Sequence, residues 1–200
     1  MARVTVTPDP FTLVPFDAAV IAALIEDVAA AVEFPLDVDI ALEVDEELFP
    51  PLTGHMSDVV DGKAVLWVSA ANLESTRQRR TFAPEAARVD FAVMLLRAKD
   101  RLSDDFAGAP PDRTLDRGER AAWDIYAIGR ADRLGFDVRR PRELYGFRLQ
   151  HGFTDVADAA FDRCWDAPSM TYAGILEICK ETGAADRGPS KVPIDILRQK

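Results

Sequence analysis

The hydrophobic pattern of this 200-residue chain changes near Pro84, and this change limits the folds that the chain can adopt. Before Pro84, short segments alternate apolar with polar residues, which is typical of half-buried strands, around a single helical segment. After Pro84, apolar residues recur at intervals of three and four, which is typical of helices. A chain that places its strands first and most of its helices afterwards predicts an α+β fold.

The first half of the chain predicts a small sheet. Val4–Thr7 alternates and is closed by proline, and Leu36–Val44 alternates apolar residues with acidic ones that we expect in solvent. The Asp61-Gly62 pair is the sequence signal of a two-residue hairpin turn. Residues 64–68 after it are apolar throughout, which predicts a central strand.

Helices account for the rest of the predicted fold. Asp17 is a suitable N-cap for a first helix whose apolar stripe runs from Ile21 to Val32 and that cannot continue past Pro35. Five more helices are predicted near residues 84–103, 116–134, 141–149, 155–166 and 169–182. The prediction is a small antiparallel or mixed sheet with one packed helix, followed by a layer of about five helices.

We expect one domain over residues 1–182. The chain is 48% hydrophobic, which is enough to bury a core without disulfides or metals. Within this domain, residues 1–75 form the acidic, sheet-containing part and residues 84–182 the helical part. Residues 183–200 are predicted to be a polar C-terminal tail.

The charge distribution disfavours nucleic acid as a partner. Of the net charge of −10, residues 1–75 contribute 2 basic and 14 acidic side chains, and residues 76–200 contribute 22 and 20. Such an acidic first part repels phosphate backbones. The short arginine clusters at residues 77–80 and 139–142 are typical of solvated loops.

Compartment and membrane association follow from the apolar runs and the cysteines. The sequence does not begin with a charged segment followed by an apolar stretch, so export is not predicted. Two cysteines, Cys164 and Cys179, do not make a disulfide framework. The most apolar run, Ala18–Val32, contains two acidic residues and is shorter than a membrane-spanning helix. We therefore expect a cytoplasmic protein that is not embedded in a membrane.

Recognisable catalytic motifs are absent from the sequence. It has no glycine-rich phosphate loop, no GxSxG, no CxxC and no HExxH motif. His55 and His151 lie 96 positions apart, and the two cysteines lie within predicted helices. Since metal sites need ligands at closer spacing, we predict no metal site and no cofactor.

The order of elements in residues 16–103 carries one family resemblance. A helix, an acidic strand, a hairpin, a central strand and a long apolar helix follow one another, and this order resembles the minimal zincin scaffold of small metallopeptidases. In that family the long helix carries HExxH, whereas here it reads ARVDFAVMLL over residues 87–96. The resemblance implies a scaffold that does not perform zinc hydrolysis.

Three charged residues are predicted on apolar helix faces. Helical spacing groups Asp100 with apolar residues of one long helix, and it places Arg130 and Asp132 on apolar faces of the next. Buried charges need partners, so we expect these residues to pair with one another or with Arg97, Arg101 and Arg133. We expect a direct contact between Asp100 and Arg130.

Arg130 also has a functional interpretation. It would then stand at the mouth of a pocket lined by Trp123, Tyr126, Tyr145 and Phe147 and bind the carboxylate or phosphate of a small anionic ligand. The sequence leaves both interpretations open, with the internal ion pair favoured.

A second candidate site lies between the predicted fifth and sixth helices. His151 is a candidate acid or base that Asp155 could orient, although no nucleophile accompanies them. The same residues also fit structural roles, since Asp155 begins a helix and His151 precedes a glycine.

These observations favour a non-catalytic binding or assembly protein, because a well-patterned chain lacks every recognisable catalytic set. The partner would be a protein or a small anionic ligand. Two alternatives stay open: a metal-independent enzyme that uses Arg130, His151 and Asp155, and a degenerate metallopeptidase-like regulator. A pocket into which Arg130 or His151 points would favour an enzyme or a ligand-binding protein, whereas an exposed apolar patch would favour assembly.

Overall fold

The computed structural model describes residues 3–185 and 187–189, and these divide into two compact units. The first unit ends at Lys99 and holds the sheet, and the second begins at Asp100 and is helical. The predicted α+β class is therefore confirmed. The prediction that residues 1–182 form one domain stays a prediction.

The sheet of the first unit has four strands: β1 (Val4–Thr7), β2 (Ile40–Asp45), β3 (His55–Val60) and β4 (Lys63–Ser69). Their spatial order is β1-β2-β4-β3. β2 pairs in parallel with both β1 and β4, whereas β3 pairs antiparallel with β4. The sheet is thus mixed, and the apolar strand β4 is central, as predicted.

The β3–β4 hairpin turns at Asp61 and Gly62, as the sequence predicts. Both residues have positive φ, 50° for Asp61 and 75° for Gly62. This is the backbone of a type I′ turn, whose twist matches that of the flanking strands and which favours Asp-Gly.

The predicted second strand began too early. Leu36 lies in a turn and is 73% exposed, and the amide of Val38 donates to the carbonyl of Pro35. The alternation of apolar residues therefore continues through a turn before pairing starts at Ile40. Within the strand, Glu43 is exposed as expected, while the preceding Asp39 accepts a hydrogen bond from the amide of Arg3 at 3.1 Å.

Three helices accompany the strands: α1 (Ala18–Ala31), α2 (Ala70–Leu73) and α3 (Pro84–Arg101). The Asp17 carboxylate caps α1 as predicted, since it accepts hydrogen bonds from two amides of the first turn at 2.8 and 3.2 Å. α1 packs against β1. The short helix α2 directly follows β4 and was not predicted. α3 contacts the sheet where the Ser57 hydroxyl donates to the carbonyl of Met94 at 2.7 Å.

The second unit contains four further helices: α4 (Arg117–Arg133), α5 (Arg140–His151), α6 (Asp155–Asp166) and α7 (Tyr172–Glu181). Together with α3 they match the five predicted helices closely. α4 packs against each of the other three, so it forms the centre of this unit. Within the part of the chain that the structure describes, no helix is long and apolar enough to cross a membrane.

The beginning of the predicted C-terminal tail belongs to the second unit. Ala184 is buried, and its amide donates to the carbonyl of Cys179 at 2.8 Å. The amide of Arg117, at the start of α4, donates to the carbonyl of Gly188 at 3.1 Å. Residues 186 and 190–200 of the predicted tail lie outside the described residues.

The contact between α4 and α6 requires a glycine. A Cβ atom at Gly129 would lie 2.2 Å from the carbonyl oxygen of Trp165, which is closer than any real contact. We predict that Gly129→Ala lowers the free energy of unfolding by about 2–3 kcal/mol, because backbone of α6 has to move. Urea denaturation measures this change.

Gly146, inside α5, is the matched control, because nothing lies within 4 Å of a Cβ built there. Gly146→Ala should raise the stability by about 0.5–1 kcal/mol through helix propensity. Equal effects of the two substitutions would contradict the described α4–α6 contact.

Candidate functional site

Asp100 and Arg130 form the predicted direct contact. The Arg130 guanidinium donates to the two carboxylate oxygens of Asp100 at 2.7 and 2.6 Å. The Trp123 indole N–H donates to the same carboxylate at 2.7 Å, and the Arg130 guanidinium lies 4.0 Å from the centre of the Tyr126 ring. The side chains of Asp100 and Arg130 are only 7% and 17% exposed, so the pair is largely removed from water.

A second buried carboxylate, Asp112, completes this network and was not predicted. Asp112 is 0% exposed, and it lies 3.4 Å from the Arg101 guanidinium and 2.9 Å from that of Arg120. Arg101 also stacks on the face of Trp123, with 4.7 Å between its guanidinium carbon and the ring centre. Trp123 is therefore held at its edge by Asp100 and on its face by Arg101.

One placement on α4 was wrong. Asp132 was expected on a buried face and is exposed. Asp132 lies on the same face of α4 as Ile125. This face is buried at Ile125, which is 4% exposed, and is exposed to solvent in the last turn of the helix.

Tyr145 does not join Trp123 and Tyr126, the other aromatic residues that were predicted to stand around Arg130. Trp123 and Tyr126 are buried in the core and stack with Phe106, at centroid distances of 4.5 and 6.5 Å. Tyr145 instead lies on the outside of α5 and is 58% exposed. The proposed ligand-binding residues are therefore divided between the core and the surface of the second unit.

His151 is buried and engaged at both nitrogens. Nε2 lies 3.0 Å from the carbonyl oxygen of Gly118, so Nε2 carries the proton and donates. Nδ1 lies 2.7 Å from the hydroxyl oxygen of Thr182, and this hydroxyl also donates to the carbonyl of Ile178 at 2.8 Å. The ring stacks on Phe147 at 3.9 Å, and Asp155 is exposed and not among the partners of His151. His151 joins α4 to the end of α7, so Asp155 does not orient it, and both residues have the structural interpretation that the sequence also allowed.

A surface depression of about 550 Å³ lies beside α7 in the second unit. Its lining consists of Asp105, Arg163, Ser169, Met170, Thr171, Gly174, Glu177, Ile178 and Glu181. The Arg163 guanidinium is paired with the Glu181 carboxylate. None of the site residues predicted from the sequence lines this depression.

The potential metal ligands and nucleophiles are dispersed in the described part of the chain. Among these residues, no group of three or more histidine, cysteine, aspartate or glutamate side chains could hold a metal ion. Cys164 and Cys179 are free and buried. Burial raises the pKa of both thiols to about 12, which keeps them protonated and poorly nucleophilic.

The largest exposed apolar side chains of α5 and the following loop lie together on the surface. Tyr145, Leu149 and Phe153 are 58%, 53% and 61% exposed, and Val156 in the first turn of α6 is 46% exposed. We call these four residues the α5 patch. Tyr145 and Leu149 share one helix face at a spacing of four residues. The Tyr145 and Phe153 rings pack edge to face at 5.9 Å.

Gly152 and Arg148 help to position Phe153 in the α5 patch. Gly152 ends α5 with a φ of 97°, a backbone conformation that favours glycine and that precedes Phe153. The Arg148 guanidinium lies 6.0 Å from the Phe153 ring centre and is held by the Asp158 carboxylate, with Nε at 2.7 Å. Tyr145 was predicted to line a pocket and the patch was not predicted, although the four-residue spacing of Tyr145 and Leu149 indicates a shared helix face.

Scans against protein-family models, curated proteins and solved structures find no match to this chain. Its candidate sites therefore rest on their own geometry.

The burial of His151 predicts a pH dependence of stability. Burial lowers the pKa of His151 from 6.5 to about 4, so the folded protein holds the ring neutral where the unfolded chain protonates it. The stabilisation is complete above the unfolded pKa and is lost as the pH falls toward 4, by about 3 kcal/mol in all. Urea denaturation across this range measures the loss.

His151→Gln isolates this contribution from that of the carboxylates. The variant should be less stable at neutral pH, and its stability should fall by about 2–3 kcal/mol less than that of the parent on acidification. Parallel curves for parent and variant would show that His151 is solvated in the folded protein.

Proposed function

We propose that this chain is a non-catalytic binding or assembly protein that engages a protein partner through the α5 patch. The observation that carries the proposal is the exposure of four large apolar side chains within residues 145–156, of which the two aromatic ones, Tyr145 and Phe153, are in contact. Aromatic residues are enriched at the centres of protein interfaces, and clustered exposed apolar side chains mark interaction sites.

Arg130 and His151 already have partners inside the protein, which favours binding through the surface over binding of a small ligand at these residues. Arg130 is committed to Asp100 by two hydrogen bonds, and the nitrogens of His151 face Gly118 and Thr182. A ligand anion at Arg130 would have to displace a buried carboxylate and leave it uncompensated, which costs several kcal/mol. This cost disfavours both the small anionic ligand and the enzyme that uses these residues.

The zincin-like scaffold and the cytoplasmic location are part of the same proposal. The order of α1, β2, the β3–β4 hairpin and α3 supports the scaffold, and α3 carries no histidine. The free cysteines Cys164 and Cys179 fit a reducing compartment. On this view the chain is a metallopeptidase-like scaffold that contributes binding rather than hydrolysis.

Site-specific photo-crosslinking tests the proposed function. p-Benzoylphenylalanine replaces Tyr145 in the full chain, and we expect a discrete protein adduct on irradiation in an extract of the cells that make the protein. Leu134, which is 51% exposed and ends α4, is the matched control position and should give no such adduct. The adducts are identified by mass spectrometry.

A patch variant gives the second arm of this test. Phe153→Ser should remove the adduct while changing the free energy of unfolding by no more than about 1 kcal/mol, because the side chain is exposed. Equal adducts at positions 134 and 145, or none at either, would contradict the α5 patch as a binding surface.

A further inference from the structure

We infer that the partner of the α5 patch is a second copy of this chain, packed antiparallel along α5 about a twofold axis. This inference rests on the proposed function, because it names the partner of the same surface. Three features of the second unit carry it: the shape of the α5 face, the charges at its two ends and the area that it offers.

The shape of the α5 face suits a helix of a second copy. Pro141, Tyr145 and Leu149 follow one another at four-residue intervals and are all exposed, so they form one stripe along the helix. Next to this stripe, the exposed Gly146 has open space where a side chain would stand. A partner ring can therefore lie against the backbone beside Tyr145. The helix has 12 residues, or about 18 Å, which is long enough for two copies to align side by side.

The charges at the two ends of this face are opposite. Arg142 is exposed in the first turn of α5, in register with Gly146 beside the stripe, and the described residues offer its guanidinium no ion pair. Asp155 is exposed just beyond the other end, and it too has no ion pair within the described part of the chain. The charged residues nearer the middle, Arg148 and Asp158, are already paired with each other.

This charge arrangement favours a second copy of the chain as the partner, with its α5 helix antiparallel to the first. An antiparallel second copy places Arg142 of one chain opposite Asp155 of the other, and twofold symmetry repeats the contact. A parallel arrangement would oppose like charges at both ends. A uniformly acidic or uniformly basic partner would be attracted at one end and repelled at the other, whereas a second copy is complementary to both ends.

The small area of the face is typical of a weak association. Four side chains that are about half exposed, with the flanking charged residues, offer roughly 500 Å² per copy, less than the roughly 800 Å² per partner of a standard stable interface. We therefore expect a concentration-dependent dimer with a dissociation constant on the order of 10–100 µM.

Sedimentation equilibrium of the full chain tests the inference. Between about 1 and about 500 µM, the average mass should rise from that of a monomer toward that of a dimer. Leu149→Ser should weaken the dimer at least about tenfold, because Leu149 lies at the centre of the face. Leu134→Ser is the equally exposed control, which should leave the dimer unchanged.

Charge reversal tests the antiparallel arrangement. Arg142→Glu and Asp155→Lys should each weaken self-association about tenfold, because each introduces two repulsive contacts. An equimolar mixture of the two variants should recover the parental affinity, because every contact in the mixed dimer then joins opposite charges. Circular dichroism melts check that each variant is folded.

Two results would overturn the inference. If the chain stays monomeric over the whole concentration range, it does not self-associate through α5. If the mixture of the two charge variants does not recover the parental affinity, the two copies are not antiparallel. The proposed function fails separately. If Tyr145 crosslinks to a different protein while the chain stays monomeric, only the second copy is excluded. If it crosslinks to nothing, both in the extract and in the purified chain at about 500 µM, the α5 patch itself is excluded.

Discussion

The buried carboxylate of Asp100 is the interaction on which the second unit depends. It accepts hydrogen bonds from two residues of α4, Arg130 and Trp123, at distances of 2.6–2.7 Å. A carboxylate in such surroundings is stable only if its oxygens are fully hydrogen-bonded, and these donors meet that condition. The same contacts fix the rotation of α4 about its own axis. Because α4 packs against α5, α6 and α7, that rotation decides which residues of the unit are buried.

The buried charged groups of the second unit already have hydrogen-bond partners, which favours a functional site on the surface rather than in the interior. Asp112 forms ion pairs with two further arginines, Arg101 and Arg120, and both ring nitrogens of His151 contact other residues, one in α4 and one at the end of α7. Interior groups engaged in this way stabilise one arrangement of the helices and are poorly placed to exchange partners with a ligand. Surface features of the second unit that are not engaged in this way include the apolar side chains of the α5 patch, together with Arg142 and Asp155 near its two ends.

Local signals in the sequence predicted local structure well. The Asp61-Gly62 turn, the Asp17 cap and the helix spans depend on neighbouring residues, and all were confirmed. Helical phase also predicted the Asp100–Arg130 contact, since two unlike charges on apolar faces need each other. The pairing of Asp112 with Arg120 and the partners of His151 could not be predicted, because they join segments whose approach depends on the packed unit. Periodicity likewise could not distinguish Leu36 in a turn from Leu42 in a strand.

Arg130 is a structural partner of Asp100, and a double-mutant cycle measured by urea denaturation tests this pairing. If the pair is structural, Asp100→Ala lowers the free energy of unfolding by about 3–5 kcal/mol, because a buried guanidinium is left uncompensated. The double variant Asp100→Ala, Arg130→Met should then recover part of that loss, which gives a clear coupling energy between the two sites. An Arg130→Met variant that is as stable as the parent or more stable, with additive effects in the double variant, would contradict this structural role and identify Arg130 as a residue kept for binding.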